Sequence, residues 1–368
     1  MSIIGLHNLD DFAYGAAFMG TGGGGDPYLG KLFIRQTLIE HGDPKITQLS
    51  DLDDDAKVFS VAMMGAPTVL FEKLFSMEDV HLAVTKLEEH LGYKADVIIP
   101  AEIGGVNATL PVAYAAWRGL PVIDADGMGR CFPALEMVTF NVLGVSATPM
   151  SMANEHGEWK ILETDTAKQA EDTSRPIITD WGGSGMISLY PMTGKQAKET
   201  AVGGTLSLAV GIGEAIRTGN EKNGAIENLL SYLRSTEYYK HCAVLFDGKI
   251  IDLTRKTQQG WNIGQCYLES VKNSNDKMKV TFQNEHLVAY RNGKVVTIVP
   301  DLIAMVDSDT AEPIPAENLR YGQRVTVIGT SAAPIMRTPA ALQVFGPRCF
   351  GLEENFVPIE KLVDVSSD

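Results

Sequence analysis

The sequence predicts an α/β protein of two domains, and three observations carry that prediction. The first half alternates short apolar runs with segments of helical periodicity. The second half changes to two helical segments and then to an all-β pattern. The chain has 368 residues, which is enough for two hydrophobic cores. Strands that alternate with helices indicate a parallel sheet with right-handed crossovers in the first half.

In the first half, three apolar runs end in Gly, Pro or an acidic residue, which is typical of buried strands. Between them, apolar residues recur at helical spacing, and Gly92 can end the first of these helices. The predicted strands are 57–67, 95–102 and 120–127, and the predicted helices are 78–92 and 107–119.

The second half begins with two predicted helices, 203–219 and 224–237. From about residue 241 the pattern predicts strands, with hairpin turns at Asp247–Gly248 and at Asn292–Gly293. The polar stretch 163–176 is the predicted boundary. We therefore predict an α/β domain over 1–172 and a second domain over 173–368, with a β-rich unit from about 240 to 332.

Composition excludes several classes of function. The formal net charge of −15, without a basic run, argues against nucleic acid and against anionic membranes as partners. The four cysteines lie far apart and form no C-x-x-C pair, so a cysteine zinc site is not expected. The first residues lack the basic flank and apolar core of a signal peptide. We expect a cytoplasmic protein with a small-molecule substrate, and a homo-oligomer.

A glycine-rich stretch, GTGGGG at 20–25, is the most unusual feature of the chain. It matches G-x-G-x-x-G, but the residues before it have helical rather than strand periodicity, which argues against a dinucleotide fingerprint. A P-loop would need Lys and Ser or Thr after the last glycine, where Asp26–Pro27 stands instead.

The stretch is therefore predicted as a loop between two helices, with Asp26 as N-cap of the second. Without Cβ atoms, successive backbone N–H groups can form a nest for a developing anion or a flat polar ligand. A plain tight turn is the alternative. The substrate-binding candidates here are Thr21, Gly22, Gly23, Gly24, Gly25 and Asp26.

Polar residues also follow the predicted strands, where open parallel sheets bind ligands. Glu102 ends the second strand, and Asp124 and Asp126 end the third on one face. Convergent carboxylates would raise each other's pKa for general acid–base catalysis, or Asp124 and Asp126 would hold a divalent metal ion. The alternative is that both Asp residues make Asx turns and cap a helix at 132–144.

Further candidates for substrate binding lie close to these strand ends. Arg130 could clamp a substrate carboxylate through two N–H groups, or pair with a neighbouring acid. Glu72 follows the first strand, and Asn107 follows the second. Asp180 lies in a second glycine-rich turn, 179–186, which could line a ligand cleft. The histidines form no metal pair, and His286 is expected at a surface or hairpin position.

Several blocks of the chain resemble, in order, those of the S-methyl thiohydantoin desulfurase-like family: GTGGGGDPYLG, PAEIGGVNATLP, DADGMGRCFPALEM, TDWGGSGM, PDLIAMVD and GPRCFG. The resemblance implies an α/β N-terminal domain and a C-terminal domain with a swivelling β-rich part. It also implies desulfuration of thiohydantoins, and genes that neighbour hydantoinase/oxoprolinase-type proteins. Cys131 departs from the family pattern, in which a small residue is expected.

These observations lead to a main hypothesis, a hydrolase in which water attacks the C=S or C=N carbon of a thiohydantoin-like ring. Glu102 or Asp124 would activate the water, and Asp126 would donate a proton or share a metal ion. The alternatives are a hydantoin amidohydrolase or isomerase, a non-catalytic partner subunit of a hydantoinase/oxoprolinase-type enzyme, and a nucleotide-binding regulator. No cofactor is required by the residues, and a divalent metal ion is left open.

Overall fold

The structure is a computed structural model that describes residues 3–25, 27–65, 69, 73, 75–258 and 261–365. By packing, the chain divides into two units. The first comprises Met1–Leu9, Asp26–Met128 and Ala134–Ser207, and the second comprises Asp10–Gly25, Gly129–Pro133 and Leu208–Asp368. The two-domain α/β prediction is confirmed.

The first unit contains most of the elements up to residue 203. Its helices are α2 (Pro27–His41), α3 (Met77–Leu91), α4 (Gly105–Arg118), α5 (Thr139–Val142), α6 (Ala167–Asp180) and α7 (Gly194–Thr200). Its strands are β1 (Lys45–Thr47), β2 (Lys57–Gly65), β3 (Val97–Pro100), β4 (Pro121–Ile123), β5 (Ala125–Asp126), β6 (Met150–Ala153), β7 (Trp159–Leu162), β8 (Ser184–Thr193) and β9 (Val202–Gly203).

Seven of these strands form one sheet in the order β1-β4-β3-β2-β8-β6-β7. The neighbours β1, β4, β3 and β2 run parallel, whereas β8, β6 and β7 extend the sheet with antiparallel pairs. The residues of β3 are all buried, which explains its continuous apolar sequence. Strands β2, β3 and β4 match those predicted from the sequence, whereas the short strand β1 was not predicted.

Helix α3 shows how local sequence sets an element's limits. Ser76 caps its first turn in a capping box with Asp79, and Gly92 ends it in the left-handed conformation with φ of 75°. The side chains of Val80, Val84 and other apolar residues at helical spacing are buried, as predicted.

The second unit contains the following elements. Its helices are α1 (Leu9–Met19), α8 (Thr205–Asn220), α9 (Ala225–Ser235) and α10 (Pro339–Phe345). Its strands are β10 (Cys242–Gln258), β11 (Trp261–Glu269), β12 (Lys277–Gln283), β13 (Glu285–Arg291), β14 (Lys294–Ile298), β15 (Leu302–Asp307) and β16 (Arg324–Thr330).

These strands form a second sheet in the order β14-β13-β12-β11-β10-β16-β15, and all its pairs are antiparallel. The predicted Asn292–Gly293 turn is confirmed, with φ of 50° and 79° at its two residues. One face of the sheet buries a cluster that includes Phe246, Val280 and Val327. The β-rich unit therefore has a core of its own.

The predicted Asp247–Gly248 hairpin is wrong. Residues 242–258 form the single long strand β10, which pairs with β16 and then with β11 and has one irregularity in each pairing, at 244–246 and at 250–252. A Cβ at Gly248 would lie 2.5 Å from the carbonyl oxygen of Glu269. Here the glycine permits close approach of the neighbouring strand and does not form a turn.

The polar stretch 163–176, predicted as the boundary, lies largely in α6, and residue 172 falls inside this helix. Its polarity reflects an amphipathic helix that buries Ala167, Ala170 and Ile178. The following strand β8 belongs to the first sheet, between β2 and β6.

Within the described ranges, the search for a membrane-crossing helix found none of sufficient length and apolar character.

We expect Ser76→Ala to lower the free energy of unfolding by about 1 kcal/mol, because the amide of Asp79 loses its acceptor in the capping box. Urea unfolding measures this change. The matched control is Ser50→Ala, because the exposed Ser50 hydroxyl donates only to Asp51. An equal loss in both variants would contradict the capping role.

Candidate functional site

Glu102 lies two residues beyond β3 and is held by Asn107 on α4. The Asn107 side-chain amide donates to Glu102 Oε1 (2.6 Å) and to the backbone oxygen of Met63 (3.1 Å). Its Oδ1 accepts from the Met63 amide (2.8 Å). Asn107 therefore binds the end of β2 as a backbone partner would, and in doing so it fixes the Glu102 carboxylate.

Asp124 follows β4, and its carboxylate is occupied by the chain. Oδ1 accepts from the amide of Ser207 (3.0 Å), and Oδ2 accepts from the Ser207 hydroxyl and from Gln48 Nε2 (3.3 Å). Ser207 belongs to the first unit and lies in the first turn of α8, so Asp124 accepts from one of the amides that this turn leaves without helical partners. The alternative from the sequence was a cap on a helix at 132–144, whereas the helix that Asp124 contacts is α8.

Asp126 lies in the short strand β5, which pairs with β9. Its Oδ2 accepts from the amide of Met128 (2.9 Å), two residues further on, as in an Asx turn. The exposed fraction is 8% for Glu102, 1% for Asp124 and 0% for Asp126. Of the three predicted catalytic acids, Glu102 is therefore the one that solvent reaches best.

The sheet order explains why the sequence could group two of these acids. Strands β3 and β4 are parallel neighbours, so Glu102 and Asp124 leave the sheet at the same edge.

No group of three or more His, Cys, Asp or Glu residues among the described ones could hold a metal ion. The predicted metal site at Asp124 and Asp126 stays a prediction. Asp26 and Glu72 lie outside the described residues.

We call residues 20–25 the glycine loop; it belongs to the second unit and follows α1, so the predicted helix before it is confirmed. Four of its residues have positive φ: Thr21 (51°), Gly22 (93°), Gly24 (81°) and Gly25 (81°). In the part of the chain that the structure describes, the amides of Gly22, Gly24 and Gly25 donate no hydrogen bond. This is the property expected of a backbone nest.

The start of the glycine loop is anchored by three hydrogen bonds. The amide of His286 donates to the Thr21 oxygen (2.7 Å), and the amide of Ala316 donates to the Gly22 oxygen (2.8 Å). Arg130 Nη2 donates to Thr21 Oγ1 (2.9 Å). The amide of Gly23 donates to the Gly20 oxygen (2.9 Å), so among the described residues the amides of Gly22, Gly24 and Gly25 remain the part that a ligand could use.

Arg130 is fully buried, and its five N–H groups donate to five oxygens of the second unit at 2.8–3.3 Å. Burial lowers its pKa to about 10, although the charge of Glu285 opposes that shift. The predicted clamp on a substrate carboxylate needs two free N–H groups, and the chain uses all of them. The five oxygens belong to Thr21, Cys131, His286, Pro300 and Asp301.

Two residues of β13 explain why the glycine loop lacks side chains. A Cβ at Gly22 would meet the imidazole of His286 at 2.7–3.0 Å, and one at Gly23 would meet Glu285 Oε1 at 2.0 Å. Of the expected surface or hairpin position, the hairpin is confirmed, because His286 pairs with Phe282 across the β12–β13 hairpin; the surface position is wrong, because the side chain is fully buried. The nearest sequence signal is the pair Glu285–His286 at the start of a strand, which does not by itself indicate a contact with the loop.

His286 is a neutral imidazole with a defined proton position. Nδ1 lies 2.9 Å from the backbone oxygen of Ile303, so Nδ1 carries the proton. Burial lowers the pKa to about 4; the bond to Ile303 opposes this shift, and the positive charge of Arg130 adds a smaller lowering. Nε2 has no hydrogen-bond partner among the described residues.

Asp180 ends α6 and lines an open groove of about 550 Å³, together with Trp159 and Trp181. The glycine turn that follows it holds a side chain of the protein: Lys73 Nζ donates to the oxygens of Trp181 (2.5 Å) and Ser184 (3.1 Å). The predicted role of Asp180 in substrate binding is not tested by this arrangement and stays a prediction.

The fold defines a two-domain α/β protein, and similarity to known proteins identifies its family. The family model described as S-Me-THD-like, N-terminal domain, matches residues 7–164, and the one described as S-Me-THD-like, C-terminal domain, matches residues 165–359. The chain therefore belongs to the S-Me-THD-like family, as the resemblance implied.

Among solved structures, the chain is similar to a crystal structure of a protein from Chromobacterium violaceum. The two share 25% sequence identity with a TM-score of 0.79, over 97% of this chain and 99% of the other. No curated protein matches the chain.

We expect Arg130→Met to lower the free energy of unfolding by about 3 kcal/mol or more, because several buried oxygens lose their donor. Chemical denaturation measures the loss. The control is Arg324→Met, whose side chain is 56% exposed and pairs only loosely with Asp309; its effect should stay within about 0.5 kcal/mol. Equal effects would contradict the anchoring role of Arg130.

His286 also predicts a pH dependence of stability. Its pKa in the folded protein is depressed to about 4, so its stabilising contribution is complete above the ordinary value of 6.5 and is lost as pH falls towards 4. The slope from this group is at most about 1.4 kcal/mol per pH unit.

The test of this prediction compares wild type with His286→Asn, which can keep a donor for Ile303 but does not titrate. Denaturation is followed from pH 7 to pH 4. We expect the wild type to lose stability more steeply than the variant over this interval. The opposing contribution of Asp301, whose pKa burial raises to about 6, is present in both proteins and cancels in the difference. Parallel curves would refute the assignment.

Proposed function

We propose that this protein is a hydrolase that removes sulfur from a thiohydantoin-type ring. Membership of the S-Me-THD-like family supports a role connected with thiohydantoins. In the proposed reaction, water attacks the ring carbon that carries sulfur. The C–S bond then breaks, the carbon becomes a carbonyl, and sulfur leaves as hydrogen sulfide, or as methanethiol when it is methylated.

The proposal rests on the backbone amides of the glycine loop that have no hydrogen-bond partner among the described residues. Gly24 and Gly25 have positive φ and present backbone N–H groups without a side chain to cover them. Attack by water places negative charge on sulfur or on a ring nitrogen, and preorganised amides stabilise such charge. One well-placed donor of this kind contributes about 3 kcal/mol to transition-state stabilisation.

Glu102, in the first unit, is our candidate for the general base that takes the proton from water. It is the most exposed of the three candidate acids, and Asn107 holds one of its oxygens at 2.6 Å. Asp124 is a weaker choice because its carboxylate already accepts from Ser207 and Gln48. Asp126 stays a candidate proton donor.

The other predicted binding residues have different roles in the proposal. Arg130 holds Thr21 and positions the glycine loop, and so it does not contact substrate. Asn107 positions Glu102. Substrate contacts by Asp180, and by Asp26 and Glu72 outside the described residues, remain proposals, as do a divalent metal ion, a homo-oligomer and a hydantoinase/oxoprolinase-type partner.

The test is release of sulfide or methanethiol from a panel of 2-thiohydantoins and their S-methyl derivatives. We expect the wild type to release one of them and Glu102→Gln to lower kcat by roughly 100-fold or more, because the variant lacks a base. Thermal unfolding of the variant should match the wild type. The matched control is Asp124→Asn, another acid-to-amide change beyond a neighbouring strand, which should lower stability more than kcat.

Each outcome of this experiment assigns the site. Loss of turnover in folded Asp124→Asn, with activity kept in Glu102→Gln, would transfer the base to Asp124. No thiol released by the wild type from any panel member would overturn the desulfurase proposal. Ring opening of hydantoin itself would then favour an amidohydrolase, and no reaction with either class would favour a non-catalytic partner subunit.

A further inference from the structure

His286 Nε2 is a buried hydrogen-bond acceptor without a partner among the described residues. Its orientation is set from the other side of the ring, where Nδ1 donates to the oxygen of Ile303 (2.9 Å). A buried polar atom left unsatisfied costs stability, so such atoms in folded proteins call for a functional explanation. The lone pair of Nε2 is not used by any described residue, although the side chain is fully buried.

The imidazole lies directly against the glycine loop. A Cβ at Gly22 would come within 2.8 Å of Nε2, so only a glycine leaves room there. The carboxylate of Glu285 occupies the equivalent position next to Gly23. The loop thus has acceptors beside Gly22 and Gly23, and free amide donors at Gly24 and Gly25.

This pattern selects a ligand by its own donors and acceptors. A simple anion such as phosphate would use the amides but would be repelled by Glu285, which has the same sign of charge. A neutral ring with an N–H group next to a carbonyl or thiocarbonyl satisfies both kinds of group. Its oxygen or sulfur accepts from the amides, and its N–H donates to the imidazole.

We propose that His286 is a specificity-determining residue that accepts a hydrogen bond from an unsubstituted ring N–H, while Gly24 and Gly25 donate to the adjacent oxygen or sulfur. This inference rests on the proposed function for the class of ring. The neutral state of the imidazole, favoured by burial, keeps Nε2 an acceptor at neutral pH. Binding then requires the ring N–H, so a methyl group on that nitrogen removes the bond and adds bulk.

The test is calorimetric binding of hydantoin, which contains no sulfur to release, against its 1-methyl and 3-methyl derivatives. We expect the wild type to bind hydantoin roughly tenfold to a hundredfold more tightly than one of the two derivatives, the one that blocks the recognised N–H. Equal affinity for all three compounds, or no binding of hydantoin, would overturn the proposal.

Two substitutions separate ligand recognition from a structural role of His286. His286→Asn can replace the Nδ1 donor to Ile303 but does not reach the position of Nε2. His286→Gln can place an acceptor near Nε2 but loses the bond to Ile303. We expect discrimination against the methylated ring to vanish in His286→Asn and to persist in His286→Gln. The reverse result would show that the imidazole acts only through Ile303.

A spectroscopic measurement gives a readout that a structural role would not change. With ¹⁵N-histidine labelling, the Nε2 resonance of His286 should shift on addition of hydantoin and not on addition of the blocked derivative. The outcomes also separate this inference from the proposed function. Selective hydantoin binding without thiol release would keep the inference and reject desulfuration, whereas thiol release without selectivity would do the opposite.

Discussion

The buried guanidinium of Arg130 is the interaction on which the candidate site in the second unit depends. A planar group with five donors can hold several chain segments at once, and here it binds oxygens of Thr21, His286 and three other residues. The buried positive charge of Arg130 is tolerated because every N–H group of the guanidinium donates a hydrogen bond. The glycine loop and strand β13 are thereby held by the same guanidinium. This contact fixes the orientation of the backbone amides that follow Thr21.

Two physical demands meet in the glycine loop. Positive φ at Gly22, Gly24 and Gly25 is unfavourable for residues with a side chain. The packing of Glu285 and His286 against Gly22 and Gly23 leaves no space for a Cβ. The positive φ angles shape a nest of backbone amides. The packing of Glu285 and His286 places hydrogen-bond acceptors beside that nest. Together they turn a glycine-rich stretch into a surface with both donors and acceptors.

Much of the fold was predictable because it depends on local patterns. The capping box at Ser76 and the turn at Asn292–Gly293 each depend on a few neighbouring residues. The glycine loop and Glu102 were also found from sequence, since both follow recognisable elements. The hairpin turn predicted at Asp247–Gly248 was wrong, because a dipeptide that favours a turn also permits the close approach of two strands. The role of Arg130 was not predictable, because its partners are as many as 171 residues away.

From the amino-acid sequence alone we could predict the two-domain α/β class, the family resemblance, the helix before the glycine loop and the acids that follow the strands. These properties follow from periodicity, turn residues and composition, which act over a few residues. The folded structure was needed to show which acids the chain itself binds, that Arg130 anchors a loop, and that His286 is buried with no partner for Nε2 among the described residues. Whether a side chain is buried and has all its hydrogen-bond partners depends on contacts between segments that are distant in sequence. No local sequence pattern specifies those contacts.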